Sequence, residues 1–182
     1  MRARAWACVC VAALAFGTAG LAACGNTGGA KFSIGQKAGE MPSGESWAGV
    51  YYNPVYGYLH VIDQDGNIVG RWKRTDGSHW GELSGTADGN VMHFTWKEHQ
   101  YGAIGPSAES HGSGVFVYTM GKNEGGSSPP PPPELAGQYA LDDSENIGDW
   151  HCVKQLNMKP DLSSINGDNP TTGSPPQTDQ WK

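Results

Sequence analysis

The sequence predicts an all-β fold, an eight-stranded antiparallel meander closed or nearly closed into a small barrel, with a disordered N-terminal leash and C-terminal tail. Three observations predict it. No segment carries the apolar period of a helix over a useful length, and short strand-like runs alternate with turn signals. The Asp-Gly pairs at 65–66, 76–77 and 88–89 supply the positive φ that tight hairpin turns need. Closing the meander removes its exposed edges.

The folded domain is predicted over residues 46–157. Its strand-like runs are 46–52, 55–63, 67–74, 79–86, 90–98, 112–120, 135–141 and 149–156. Because most of these runs are joined by short turns, each strand is expected to pair with the next. A barrel of eight strands is just wide enough for its own side chains or for one small ligand.

Two of the hairpins let the pairing be predicted residue by residue. Two-residue turns at Asp65-Gly66 and Asp88-Gly89 bring a large residue opposite a smaller one on the inward side. The predicted pairs are Val61 with Gly70, Leu59 with Trp72, Leu83 with Phe94, and Gly81 with Trp96. This arrangement would let a core interdigitate inside the barrel.

The first 23 residues have the form of an export signal. Arg2 and Arg4 precede an apolar stretch that ends in Leu-Ala-Ala at 21–23, followed by Cys24. This ending resembles the lipobox of bacterial lipoproteins, which implies cleavage before Cys24 and lipidation of that cysteine, with membrane attachment through the lipid. Gly25 stands where the enterobacterial sorting rule places an Asp for inner-membrane retention, so the resemblance implies the outer membrane of the cell envelope.

Three segments are predicted to lie outside the strands. Residues 24–45 are rich in Gly, Ser, Lys and Glu and are interpreted as a flexible, lipidated leash, and residues 158–182 as a disordered tail. The insert at 121–134 contains Pro129–Pro133, a run expected to form polyproline II. A spacer role is favoured for this run over docking in an aromatic groove.

Composition narrows the partner classes. The formal charge is −6, and it becomes −8 without residues 1–23, which contain Arg2 and Arg4 and no acidic residue. A chain without a basic patch is not expected to bind nucleic acid, because phosphate neutralisation supplies most of that affinity. Of the four cysteines only Cys152 remains unassigned after cleavage and lipidation, so no intramolecular disulfide is expected, and Cys152 is interpreted as core.

The sequence shows no convincing catalytic or metal-binding pattern. The six histidines have no convergent spacing, and the acidic cluster at 142–149 does not fit an EF-hand loop. No Gly-x-Ser-x-Gly elbow is present, and the carboxylates Glu82 and Glu98 are expected on one face, away from any cleft. We therefore expect neither an enzyme nor a bound metal or cofactor.

Aromatic residues are the remaining functional signal. Trp72, Trp96 and Trp150 are assigned to the core. The candidates for a ligand-binding surface or rim are Trp80, Tyr51, Tyr52, Tyr56 and Tyr58.

A family resemblance accompanies the strand pattern. The pattern Trp47-x-Gly49-x-Tyr51-Tyr52, the Asp-Gly turns and Gly-Gln-Tyr at 137–139 resemble the meander of avidin- and lipocalin-type barrels. The resemblance implies a barrel topology and supplies no ligand and no binding residue.

Three function classes therefore compete. The first is a non-enzymatic structural or accessory lipoprotein that binds an envelope protein. The second is a binder of a small ligand or glycan at the barrel mouth, and the third, less favoured, is an enzyme. A barrel interior filled by side chains favours the first class, whereas a roomy apolar cavity favours the second.

Overall fold

The computed structural model describes residues 37–122, 125 and 129–167 and confirms the closed eight-stranded barrel. Every strand pairs antiparallel with the next, and the last pairs with the first. The strands are β1 (Gly49–Asn53), β2 (Gly57–Gln64), β3 (Asn67–Lys73), β4 (His79–Asp88), β5 (Val91–Gln100), β6 (Glu109–Thr119), β7 (Glu134–Leu141) and β8 (Ile147–Lys154). Single 3-10 turns lie at Pro106–Ala108 and Leu162–Ser164.

The predicted register is confirmed in the first hairpin and wrong in the second. Asp65 and Gly66 both have positive φ, and Leu59 faces Trp72. In the second hairpin Asp88 pairs with Val91, so the turn residues are Gly89 and Asn90. A glycine with positive φ at the first turn position, here Gly89 with φ 54°, is typical of a type II′ turn. The shift of two residues keeps every side chain on its predicted face, because the side-chain period of a strand is two.

Large inward side chains fill the barrel opposite glycines. With the corrected register Leu83 pairs with Trp96, and Gly81 pairs with Glu98. A Cβ at Gly81 would lie 2.2 Å from the Trp72 ring, so Trp72, rather than the predicted Trp96, occupies the space that this glycine leaves. One buried cluster runs through the interior and includes the predicted core residues Trp72, Trp96, Trp150 and Cys152.

The last part of the predicted leash is an ordered plug. Residues 37–47 lie across the end of the barrel that carries the β2–β3, β4–β5 and β6–β7 connections, which we call the closed end. The N–H of Asn90 donates to the Gly39 carbonyl at 3.0 Å, and the N–H of Gly39 donates to Asn90 Oδ1 at 2.8 Å. Met41 packs against the core, and Trp47 is buried within it. The flexible-leash prediction is therefore wrong for 37–45, while residues 24–36 and Cys24 lie outside the described residues.

The start of the predicted tail is also ordered. Residues 158–167, which we call the strap, cross the outer face of β2 and β3. The backbone N–H of Asp161 donates to His60 Nδ1 at 3.0 Å, and Arg71 Nη1 donates to the carbonyls of Leu162 and Ile165 at 3.4 and 3.3 Å. Ile165 is buried by this packing. The disordered-tail prediction is therefore wrong for 158–167, and residues 168–182 lie outside the described residues.

The described proline run, residues 129–133, leads directly into β7. Pro133 is buried, and its carbonyl accepts a 2.8 Å hydrogen bond from the N–H of Lys154, which lengthens the β7–β8 ladder. The predicted signal peptide, residues 1–23, lies outside the described residues. No helix in the described part of the chain is long and apolar enough to span a bilayer.

Candidate functional site

The mouth is the barrel end that carries the β1–β2, β3–β4, β5–β6 and β7–β8 loops. A small cavity of about 30 Å³ lies just inside it. Its lining, which we call the mouth cluster, combines five aromatic rings with one guanidinium and one carboxylate: Tyr56, Trp72, Arg74, Trp96, Glu98, Tyr139 and Trp150. The cavity has room for about one water molecule.

Two loops place the movable members of the mouth cluster. Tyr56 follows Asn53, whose Oδ1 accepts the N–H groups of Val55 and Tyr56 at 2.7 and 2.9 Å. Arg74 begins the β3–β4 turn, where its N–H donates to the His79 carbonyl at 2.9 Å. Both backbones are thus anchored, and the side chains reach over the mouth from its rim.

An ion pair crosses the mouth. Arg74 Nε and Nη2 donate to the two carboxylate oxygens of Glu98 at 2.9 and 2.7 Å, and Trp72 Nε1 donates to Glu98 Oε1 at 3.1 Å. The Glu98 side chain is only 8% exposed, whereas that of Arg74 is 31% exposed. Hydrogen bonding to Glu98 is the main reason why the pKa of Arg74 is raised. A two-pronged pair of this kind is strong and directional.

The rings beneath the ion pair form a continuous aromatic box. The Trp150 ring lies 4.9 Å from Tyr56 and 5.0 Å from Trp72 between centroids, and Tyr139 lies 5.8 Å from Trp96. The Tyr56 hydroxyl donates to the Tyr139 hydroxyl at 2.7 Å, which links the rim ring to the wall of the box. Burial is the main reason why the pKa of Tyr56 is raised, so its hydroxyl keeps its proton.

One polar group inside the barrel lacks a conventional partner. The indole N–H of Trp150 is buried and has no hydrogen-bond partner of normal geometry among the described residues. It contacts the Cys152 thiol instead. Burial raises the pKa of this thiol to about 12, and the Trp150 indole partly opposes that rise. Sulfur is a weak acceptor, so this contact satisfies the indole poorly. A thiol with so high a pKa is inert rather than nucleophilic.

A second candidate region lies on the outer surface. A groove of about 490 Å³ between β1–β3 and the strap contains Tyr52 and Tyr58, whose ring centroids are 4.9 Å apart. We call it the tyrosine groove, and its other lining residues are Gly57, His60, Lys73, Arg74, Thr75, Asp76, Gly77 and Ile165. Tyr58 is 43% exposed. The groove offers aromatic surface with both signs of charge beside it.

The five predicted binding aromatics do not form one site. Tyr51 is wrong as a surface contact: it points inward, is fully buried, and donates its hydroxyl to the Trp47 carbonyl at 2.8 Å. Tyr52 and Tyr58 share the tyrosine groove, and Tyr56 belongs to the mouth cluster. Trp80 lies on the outer face, where it stacks on His99 at 4.5 Å and packs against Gly167 of the strap.

Sequence reasoning missed the ion pair. The prediction that Glu82 and Glu98 lie on one face is wrong. The inward positions are odd-numbered in β4 and even-numbered in β5, so these two even-numbered residues lie on opposite faces. Glu82 faces outward near Arg71, and Glu98 faces into the barrel. The sequence did contain a signal for the inward position of Glu98. The apolar residues Met92, Phe94 and Trp96 alternate along the inward face of β5, and Glu98 is the next position in that series.

The described surface carries a second groove, of about 490 Å³, over the outer faces of β4–β6. Its charged residues pair with each other, Lys97 with Glu109 at 3.2 Å and His111 with Asp142 at 3.6 Å. We call it the polar groove. Within the described ranges no three histidine, cysteine or carboxylate side chains converge closely enough to hold a metal ion.

Comparison with known proteins matched the chain to no family model, no curated protein and no solved structure. The eight-stranded meander is the topology that the resemblance to avidin- and lipocalin-type barrels implied. The two candidate regions therefore have to be interpreted from their own chemistry.

Proposed function

We propose that this chain is a lipid-anchored envelope lipoprotein whose barrel is a non-enzymatic accessory module that binds a partner protein on its outer surface. The anchor is supported by Leu-Ala-Ala before Cys24, because two or more acyl chains hold a protein stably at a membrane. The outer membrane is the proposed location, from Gly25. The proposed partner is an envelope protein, since the lipid would hold the chain at the envelope and a net charge of −6 does not favour nucleic acid.

The filled interior is the observation that carries this proposal. Pockets for drug-sized ligands measure about 300–1,000 Å³. The cavity at the mouth measures about 30 Å³, and the fully buried side chains behind it include Trp72, Phe116 and Tyr118. A barrel packed in this way supports recognition on the outside rather than storage of a ligand inside.

The tyrosine groove is the part of the outer surface best suited to a protein partner. Tyrosine is enriched in protein interfaces because it offers a large apolar ring and a polar end. Tyr52 and Tyr58 present such rings in a concavity, and Lys73 and Asp76 lie beside them. Among its described lining residues the polar groove offers no comparable pair of aromatic rings, and its lining is mainly polar and charged.

Site-specific photo-crosslinking in living cells tests the proposal. A photoreactive residue replaces Tyr58 in one variant and Thr95, an exposed residue of the polar groove, in the control. We expect one discrete protein adduct from position 58 that is absent from position 95, and its loss when Tyr52→Ala is added. Equal adducts at both positions, or none at 58, would contradict the proposal.

Glycan binding is the second candidate, because the exposed Tyr58 ring beside the half-buried Tyr52 ring can also stack on a sugar face. Sedimentation with isolated cell-wall glycan distinguishes the two. Binding that Tyr58→Ala removes, and that Thr95→Ala leaves unchanged, would favour the glycan and replace the protein partner.

The anchor has its own test. In cells fed a palmitate analogue, we expect label on the wild-type chain and none on Cys24→Ala, which should accumulate as uncleaved precursor. Cys152→Ala is the matched control, since it removes a cysteine that is buried in the barrel. Equal labelling of wild type and Cys24→Ala would remove the anchor from the proposal.

A further inference from the structure

The mouth cluster combines a fixed anion with a movable cation. Glu98 sits within β5, and its carboxylate is held by Trp72 and Arg74. Arg74 sits at the rim, and its side chain is the more exposed partner of the pair. A rotation of the Arg74 side chain into water would leave the carboxylate and the rings in place. What remains would be an aromatic box with a buried negative charge.

The contacts of the Arg74 guanidinium indicate which kind of group suits that box. Its carbon lies 5.6 Å from the centroid of Tyr56, which is a cation–π distance, while two of its nitrogens bond to Glu98. Aromatic rings around a carboxylate are the chemistry by which proteins recognise quaternary ammonium and guanidinium groups. The arginine therefore occupies the box as a cationic ligand would.

Stability alone does not account for this arrangement. Taking a carboxylate and a guanidinium out of water is costly, and replacing such a pair by apolar residues is often neutral or stabilising. The rest of the interior is apolar and aromatic, so an apolar side chain at position 98 would continue the inward series of β5. The ion pair is thus an exception that calls for a role in recognition.

We propose that the mouth cluster is a binding site for a small organic cation, a quaternary ammonium or guanidinium compound, which enters by displacing the Arg74 side chain from Glu98. The ligand's charged group takes the position of the guanidinium, against Glu98 and the Tyr56 ring. The space available is that of the displaced guanidinium together with the adjoining cavity of about 30 Å³, so the cationic group must be small. The net negative charge of the chain favours the approach of cations. This proposal does not rest on the proposed protein partner at the tyrosine groove.

The intramolecular cation lowers the apparent affinity. A ligand that binds only the open form has its affinity reduced by the fraction of molecules that are open. Removing the competing guanidinium should therefore tighten binding, whereas removing the buried carboxylate should abolish it. An ordinary structural ion pair would show neither response to an added cation.

Calorimetric titration tests the site, with the emission of the tryptophans that line it as a second readout. The probes are choline and methylguanidine, added to the full chain in a detergent without a cationic headgroup. The neutral choline isostere 3,3-dimethylbutan-1-ol is the control ligand. We expect saturable binding of a cationic probe to the wild type, at least about tenfold tighter binding to Arg74→Ala, and no binding of the neutral isostere.

Matched variants keep the test decisive. Glu98→Gln should lose binding, and Lys97→Ala, which changes the outward neighbour of Glu98, should not. Because Glu98→Gln can also disturb folding, Tyr56→Leu serves as a second variant that removes a rim ring, and it should weaken binding while the barrel stays folded by circular dichroism. Binding to Arg74→Ala alone would mean a cavity made by the mutation and would overturn the proposal. No binding to either protein, or binding that neither Glu98→Gln nor Tyr56→Leu affects, would overturn it as well.

Discussion

The two ends of the barrel are closed in different ways. At the closed end a segment of chain lies across the opening. It is held by the two hydrogen bonds between Gly39 and Asn90, one of them to the Asn90 side chain, and by Trp47, whose Nε1 donates to the Gly89 carbonyl at 3.1 Å. At the mouth the opening itself is crossed by side chains, Arg74 with Glu98 and Tyr56 with Tyr139. Opening the first therefore requires local unfolding, whereas opening the second requires only rotation of side chains about their bonds.

The two ends also differ in which partner of the ion pair lies on the barrel wall. At the closed end the wall supplies the cation, Lys154, and the plug supplies the anion, Glu45, with 2.9 Å between Nζ and Oε2. At the mouth the wall supplies the anion, Glu98, and the rim supplies the cation, Arg74. The anion of the plug is carried by a whole segment of the chain, so replacing it would require that segment to detach. At the mouth, by contrast, another cation can take the position of the Arg74 side chain once that side chain has rotated away. This difference is why we propose ligand exchange at the mouth and structural closure at the other end.

The largest effect is expected from Trp47→Ala. Trp47 is buried, its ring lies 5.7 Å from that of Tyr118, and its carbonyl accepts the Tyr51 hydroxyl. Truncating a buried tryptophan costs about 3–5 kcal/mol of unfolding free energy. Urea melts measure it, with Trp80→Ala as the control on the outer face. An equal or larger loss for Trp80→Ala would show that the plug adds nothing essential.

At the mouth we expect the double variant to be milder than the single one. Arg74→Ala leaves the Glu98 carboxylate buried without its cation, which should cost about 2–4 kcal/mol in buffer free of organic cations. Arg74→Leu combined with Glu98→Leu removes both charges and should stay within about 1 kcal/mol of the wild type. Chemical denaturation of the three proteins decides it. A double variant as unstable as Arg74→Ala would mean that the mouth is a structural closure after all.

The sequence predicted the barrel better than it predicted what closes its ends. Alternation and Asp-Gly turns define strands locally, so the eight strands followed from them, whereas the inward positions of Tyr51 and Glu98 were not predicted. The β4–β5 register did not, because a two-residue shift preserves both faces and only the turn geometry at Gly89 distinguishes the alternatives.

The end closures depend on contacts between distant positions. The plug and the strap are held by few apolar residues, chiefly Trp47 and Ile165, within polar and Gly-rich sequence that has no period. Arg74 and Glu98 are 24 residues apart, one in a turn and one in a strand, and no local sequence pattern indicates that they meet. Such pairings are set by the barrel as a whole and not by any local pattern.

A smaller effect is expected from Gly89→Val, which acts on the plug through the β4–β5 turn. Gly89 has φ 54°, a conformation that β-branched residues resist, and a Cβ there would lie 1.9 Å from the Gly39 carbonyl oxygen. The expected loss is about 1–3 kcal/mol. Gly66→Val is the matched control, since Gly66 also has positive φ but has nothing within 4 Å of its Cβ position. Proteolysis near residues 37–41 should increase only in Gly89→Val, and equal cleavage of both variants would show that the turn does not hold the plug.

The smallest effect is expected from Glu45→Gln, and it should depend on pH. The hydroxyl of Tyr118 is the main reason why the pKa of Glu45 lies below 4.5, and Lys154 lowers it further. The unfolded chain therefore takes up the proton first as the pH falls. The stability that Glu45 contributes is fully present above 4.5, declines below it, and is lost once the pH falls through the pKa of the folded protein. A partly exposed pair of this kind contributes about 1 kcal/mol. Urea melts of wild type and Glu45→Gln should thus differ by about that amount at pH 7 and converge below pH 4.5, because all other carboxylates are common to both proteins. A difference that stays constant over this range would mean that the plug is held by Trp47 and the Gly39–Asn90 pairing, without help from the charge of Glu45.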